Sequence, residues 1–208
     1  MAGTLPHAVF VETGIDEVGQ VMAFAGELPG CASVGSDADA AVASVPAQVT
    51  IFVGWLRSSG EAVTEPVGNW YEVERVAAGR GAGDVPQRAA FSLDELPPSV
   101  DEFATWLRWA ELAREELAAA LDRVPLAADR LTWLAAQDER LAAELNATSA
   151  VSSRASPASE DALDRLYATR DALMAALAVA GPSAAGVRRA LRLAIADDLR
   201  ATELISAR

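Results

Sequence analysis

The chain has 208 residues, enough for one large domain or two small ones, and its 51% hydrophobic and 23% charged side chains exclude a disordered polymer. The formal net charge is −13 and all 17 basic residues are arginine. No local basic patch is visible, so no nucleic-acid role is expected.

Residues 1–10 lack the basic segment and apolar run of a signal peptide. No stretch of about 18 uninterrupted apolar residues reads as a membrane span, so the expected location is the cytoplasm. His7–Glu12 (HAVFVE) reads as a strand, stopped by Thr13-Gly14. Gln20–Ala25 alternates polar and apolar in part, as a half-buried strand does. Leu28-Pro29-Gly30 marks a turn before a short third strand, Cys31–Val34. Asp37–Ser58 reads as a helix with Val42, Val45, Val49, Phe52, Val53 and Leu56 on one stripe. Pro46 falls inside it. It either kinks the helix or opens its main part with Ser44 as cap, because proline is tolerated only in a first turn. Trp55 lies off the stripe, a candidate contact with a second domain or a partner. Asn69–Ala77 is the last strand of this half.

Gly79-Arg80-Gly81-Ala82-Gly83-Asp84, Pro86 and Pro97-Pro98 have the composition of a linker, placed at 80–98 between domains 1–79 and 99–208. The glycines lack the Gly-Lys-Ser/Thr ending of a phosphate loop. Residues 1–98 carry 13 acidic and 4 basic side chains, and residues 99–208 carry 17 and 13, so −9 of the −13 lies in the first half. That imbalance suits a basic protein partner.

The succession of two strands, Leu28-Pro29-Gly30-Cys31, a short strand, Gly35 and an alanine-rich helix ending near Gly60-Glu61 resembles the N-terminal domain of HicB antitoxins, over about residues 6–77. The resemblance implies a small αβ domain, an antiparallel sheet with one helix, that binds a partner toxin. No helix-turn-helix or ribbon-helix-helix segment accompanies it here.

The second half is helical in pattern, with segments near 101–124, 126–146, 158–180 and 184–207. Ser156-Pro157 is a helix start and Gly181-Pro182 a stop. Four such helices predict a four-helix bundle, and an α+β protein overall. FATWLRWAELAREELAAAL, LDRLYATRDALMAAL and LRLAIADDLRATELI resemble the first, third and fourth helices of DinB-like bundles. That superfamily includes thiol-dependent transferases that hold a divalent metal with three histidines. One lies on the second helix, and a His-x-x-x-His pair lies on the fourth. The matching positions here lie near Trp133 and at Asp197 and Ala201, or at Asp198 and Thr202 one register on. None is histidine. Neither the metal nor the chemistry is expected to carry over, and no cofactor is expected.

At 100° per residue the first helix buries Phe103, Trp106, Ala110, Ala113, Leu117, Leu121 and Val124, with Arg114 at the edge. The second places Asp138 amid Leu131, Leu134, Leu141 and Leu145. The third places Arg170 amid Leu163, Leu166, Tyr167, Met174 and Leu177. The fourth places Asp198 amid Val187, Leu191, Ala194 and Ile205. Burying an unpaired charge costs several kcal/mol, so Asp138, Arg170 and Asp198 are expected to meet, as a structural ion-pair cluster or a ligand-binding one. Cys31 reads as a small packed side chain. With His7 the only imidazole and no Gly-x-Ser-x-Gly elbow, no catalytic residue is assigned. The expected function is non-enzymatic interaction, antitoxin-like or stress-related. The alternatives are a metal-independent transferase or hydrolase, or a small-ligand sensor, using the polar cluster. A deep wet concavity would favour the enzyme, and a filled interior would favour interaction.

Overall fold

The computed structural model describes residues 6–15, 20–79, 87–149 and 161–206. The protein is α+β, with a four-stranded mixed sheet and five α-helices among the described residues, and divides into two units, Met1–Leu93 and Asp94–Arg208.

In the first unit the strands are β1 (His7–Thr13), β2 (Val21–Ala25), β3 (Ala32–Gly35) and β4 (Trp70–Ala77), in the order β3-β2-β1-β4. β1 pairs antiparallel with β2, and β2 with β3, but β4 runs parallel to β1. This corrects the antiparallel expectation. The reason is topological: two antiparallel steps leave β3 running with β1, and the helix that follows carries the chain back across the sheet. The next strand must then run the same way as β3. Alternation of side chains reports which face a residue lies on, never the direction of its neighbour.

That helix, α1 (Ala38–Ser58), is continuous through Pro46. Asp37 caps it by accepting from the Ala40 N–H at 2.8 Å, while Ser44 donates to the Ala40 carbonyl. Ser44 is therefore not the cap. Among the described helices α1 is long and apolar enough to cross a membrane by length and composition. Its Val45, Val49, Phe52, Val53 and Leu56 are buried in this unit instead. The Ser33 hydroxyl donates to the Ala41 carbonyl at 2.6 Å, which fixes Val11, Ala23 and Ser33 as the face under α1. Gly35 is needed for that approach, since a Cβ there would lie 2.4 Å from the Ala41 nitrogen.

The other face of the sheet, bearing Phe10, Glu12, Met22 and Phe24, is closed by residues assigned above to the linker. Phe91 packs 5.3 Å from the Phe10 ring and 5.9 Å from that of Phe24. Arg88 Nε donates to Glu12 Oε2 at 2.9 Å, with both side chains buried, and the Ala89 N–H donates to Glu12 Oε1. The first unit therefore extends to Leu93. Of the expected linker, 80–86 lies outside the described residues.

The second unit holds α2 (Val100–Leu121), α3 (Ala128–Ser149), α4 (Ala162–Ala180) and α5 (Val187–Ser206), with α2 packed on α5 and α3 on α4. Ser99 and Glu102 form a reciprocal cap at the start of α2. Asp161 caps α4, while Ser156-Pro157 lies outside the described residues. Gly181, at φ 68°, ends α4. Leu117, Leu121, Leu131, Leu134, Leu166 and Ile205 share one core. Val124 is exposed, because α2 stops at Leu121 and the chain turns before it, and Phe103, in the first turn of α2, is half-buried rather than buried.

Candidate functional site

Asp138 on α3, Arg170 on α4 and Asp198 on α5 come together inside the second unit, at 2%, 3% and 0% exposure. Each occupies a core-facing position of its helix. Arg170 Nε lies 3.1 Å from Asp138 Oδ2, and Arg170 Nη2 donates to Asp198 Oδ1. Its Nη1 reaches the Ala194 carbonyl at 3.5 Å. One guanidinium thus ties three helices, as its planar fork of donors allows. The fit is incomplete. Asp198 Oδ2 is buried without a hydrogen-bond donor, and the Asp138 contact is an ion pair without hydrogen-bond alignment.

Electrostatics follow from burial. Loss of water pushes Asp138 up to about 8; Arg170 pulls the other way, and Asp198 and Asp197 push further. Asp198 is pushed up to about 6, again chiefly by burial, with Arg170 opposing and Asp197 assisting. For Arg170 burial disfavours the charge, but Asp138, Asp198 and Asp197 outweigh it and its pKa is raised. Near neutral pH the cluster therefore holds Arg170⁺, an ionised Asp198 and a largely protonated Asp138.

A cleft of about 230 Å³, counted out to its open mouth, reaches the cluster between α2, α4 and α5. Its enclosed part has room for roughly one water molecule. Arg114 stands on its wall, half-buried, bonded to Asp171 at 2.6 Å and to the Tyr167 carbonyl at 3.3 Å. The edge position of Arg114 on its helical wheel was the only sequence signal of this opening.

Other buried charges had no such signal. Arg192 on α5 donates to Asp94 at 2.6 Å, with both buried, and Glu12 meets Arg88 across 76 residues of sequence. Neither pair interrupts an apolar stripe whose partner can be guessed. Trp55 is half-buried with its ring 5.4 Å from that of Phe52, so part of it is spent on packing within its own unit. Cys31 is buried beside the turn. His7 bonds Glu27 at 2.7 Å and stacks on Trp70, and the Glu27 bond raises its pKa.

Among the described residues no group of three or more histidine, cysteine, aspartate or glutamate side chains is placed to hold a metal ion. Arg170 occupies the space between the carboxylates. No protein-family model matches the chain, and neither a curated protein nor a solved structure is found similar to it.

Proposed function

We propose that the protein is a cytoplasmic, non-enzymatic interaction protein. Its first unit is HicB-like and docks a basic protein partner, and its second is a DinB-like four-helix bundle without the metal ligands. The observation that carries this reading is on β4, an outer strand of the sheet. Tyr71 and Val73 are 53% and 58% exposed on either side of the exposed Glu72. They sit in the half of the chain that holds −9 of the net charge. Aromatic and aliphatic surface set among carboxylates suits a partner that is positive and partly apolar.

The interior of the helical unit supports the non-enzymatic part. Both aspartates are engaged by Arg170, and a space the size of one water admits no substrate to the pair. General acid–base work needs a reacting proton within hydrogen-bond reach of the carboxyl group.

The test is capture from the native cell by the wild-type chain and by a Tyr71→Ser, Val73→Ser variant, read by mass spectrometry. A small basic protein retained by the wild type, released by salt and lost with the variant is the expected result. No basic protein on the wild type, or equal retention by both, overturns the reading.

A further inference from the structure

We propose that the outward face of α1 is the surface through which two copies of the chain associate, their α1 helices antiparallel about a two-fold axis at Ala47. This surface lies wholly in the first unit, on the side of α1 away from the sheet, and needs no partner on β4.

Charge selects a second copy as the occupant. Two chains of net −13 repel, yet residues 40–56 contain no charged side chain, so two copies can meet there without opposing carboxylates. Asp39 and Arg57 bound the stretch, both exposed and neither in an ion pair among the described residues. Asp39 bears on Arg75 only through its field, and Arg57 donates to the Val63 carbonyl at 3.1 Å. An antiparallel pair sets each Asp39 beside Arg57 of the other copy, on the same edge and within about two residues of the same height. A parallel pair would set Asp39 against Asp39. Shape agrees with charge. Ala40, Ala43, Ala47, Ile51 and Gly54 lie within about 40° of one line, opposite the buried Val45, Val49 and Leu56. Ile51, 61% exposed, stands one turn from the axis. There the other copy presents the hole bounded by Ala40, Ala43, Ser44 and Ala47, whose small side chains leave room for it. Gly54 falls opposite Ala40. Glycine is unfavourable inside a helix, and a Cβ at Gly54 would meet nothing within 4 Å of its own copy. A close neighbour from outside gives the missing side chain a use. Ser44 already donates to the Ala40 carbonyl, and Thr50 at the edge to Glu65, so covering the face strands neither hydroxyl.

The experiment is sedimentation equilibrium of the full chain from about 10 µM to 1 mM, since one helix pair is a small interface and suits micromolar dissociation. A monomer–dimer equilibrium is expected. Ala47→Glu, which opposes two carboxylates on the axis, should weaken it at least about tenfold while the melting temperature is kept, because Ala47 is exposed. Should that variant fail to fold, Ile51→Ser decides in the same way. A chain monomeric throughout overturns the proposal, and binding of that monomer to phosphatidylcholine vesicles would give the face to a lipid surface instead. A dimer untouched by either substitution places the contact elsewhere. Oxidative crosslinking tests the arrangement, since the native Cys31 is buried. Ala47→Cys should link two copies through a disulfide. Ser58→Cys, on the same face but about 33 Å from its counterpart in the antiparallel pair, should not. Linking through Ser58→Cys in place of Ala47→Cys overturns the antiparallel pair.

Discussion

Arg170 is the residue whose removal tells most. Arg170→Ala leaves an ionised Asp198 buried without its counter-charge, and the expected loss is about 3–5 kcal/mol in chemical denaturation. Replacing the cluster together, as Asp138→Leu, Arg170→Met and Asp198→Leu, should cost far less, because no charge is then stranded. A triple variant as unstable as Arg170→Ala would contradict the account. The raised pKa values also set a pH dependence. A carboxyl group at about 8 in the folded chain, against an ordinary value of 3.8, binds more protons when folded, so its stabilisation is complete below about pH 4. It is lost as the pH rises toward 8, with Asp198 losing its share earlier, through about 6. The melting temperature of the helical unit should therefore fall from pH 5 to pH 9. His7 contributes with the same sign in the other unit, its stabilisation being lost above its ordinary value of 6.5. Asp138→Asn separates the two: it should flatten most of the slope, and an unchanged slope would exclude Asp138 as its source.

At the scale of elements, the segment that closes the sheet's second face decides where the first unit ends. A fragment of residues 1–93 should fold, whereas 1–79 should not. The shorter one strands Glu12 without Arg88 and uncovers Phe10 and Phe24. Circular dichroism and amide dispersion in NMR would show the difference, and a folded 1–79 would refute it. Gly35→Ala should cost about 1–3 kcal/mol by overpacking against α1, again measurable by denaturation. The positions of β1 to β4 and of the helices were legible in the sequence, because periodicity exposes which side chains share a face. The cluster of Asp138, Arg170 and Asp198 was legible for the same reason: each charge interrupts an otherwise apolar stripe. The parallel β4 was not, since strand direction is a property of the connection. Nor was the role of Arg88, Ala89 and Phe91. They lie in irregular backbone between glycine- and proline-rich stretches, where no period exists and composition alone argues for exposure.

For the whole molecule, charge sets the terms of association. A net −13 with most of the excess in residues 1–98 means that capture of a basic partner should be fast at low salt and weaken steeply as salt rises. An association rate insensitive to ionic strength would argue that the partner is recognised by apolar contact alone. The late closure of the sheet's second face also bears on how the chain is made. Synthesis runs from the N-terminus, and folding follows it where the needed residues have already emerged. Here β1 to β4 are complete at Ala77, yet Arg88 and Phe91 are still to come. For that interval the nascent sheet presents two phenylalanine rings and an unneutralised glutamate to the surroundings. A ribosome stalled between those points would hold a sticky, half-lidded intermediate, and chaperone crosslinking to stalled chains should peak there and vanish once Phe91 is free.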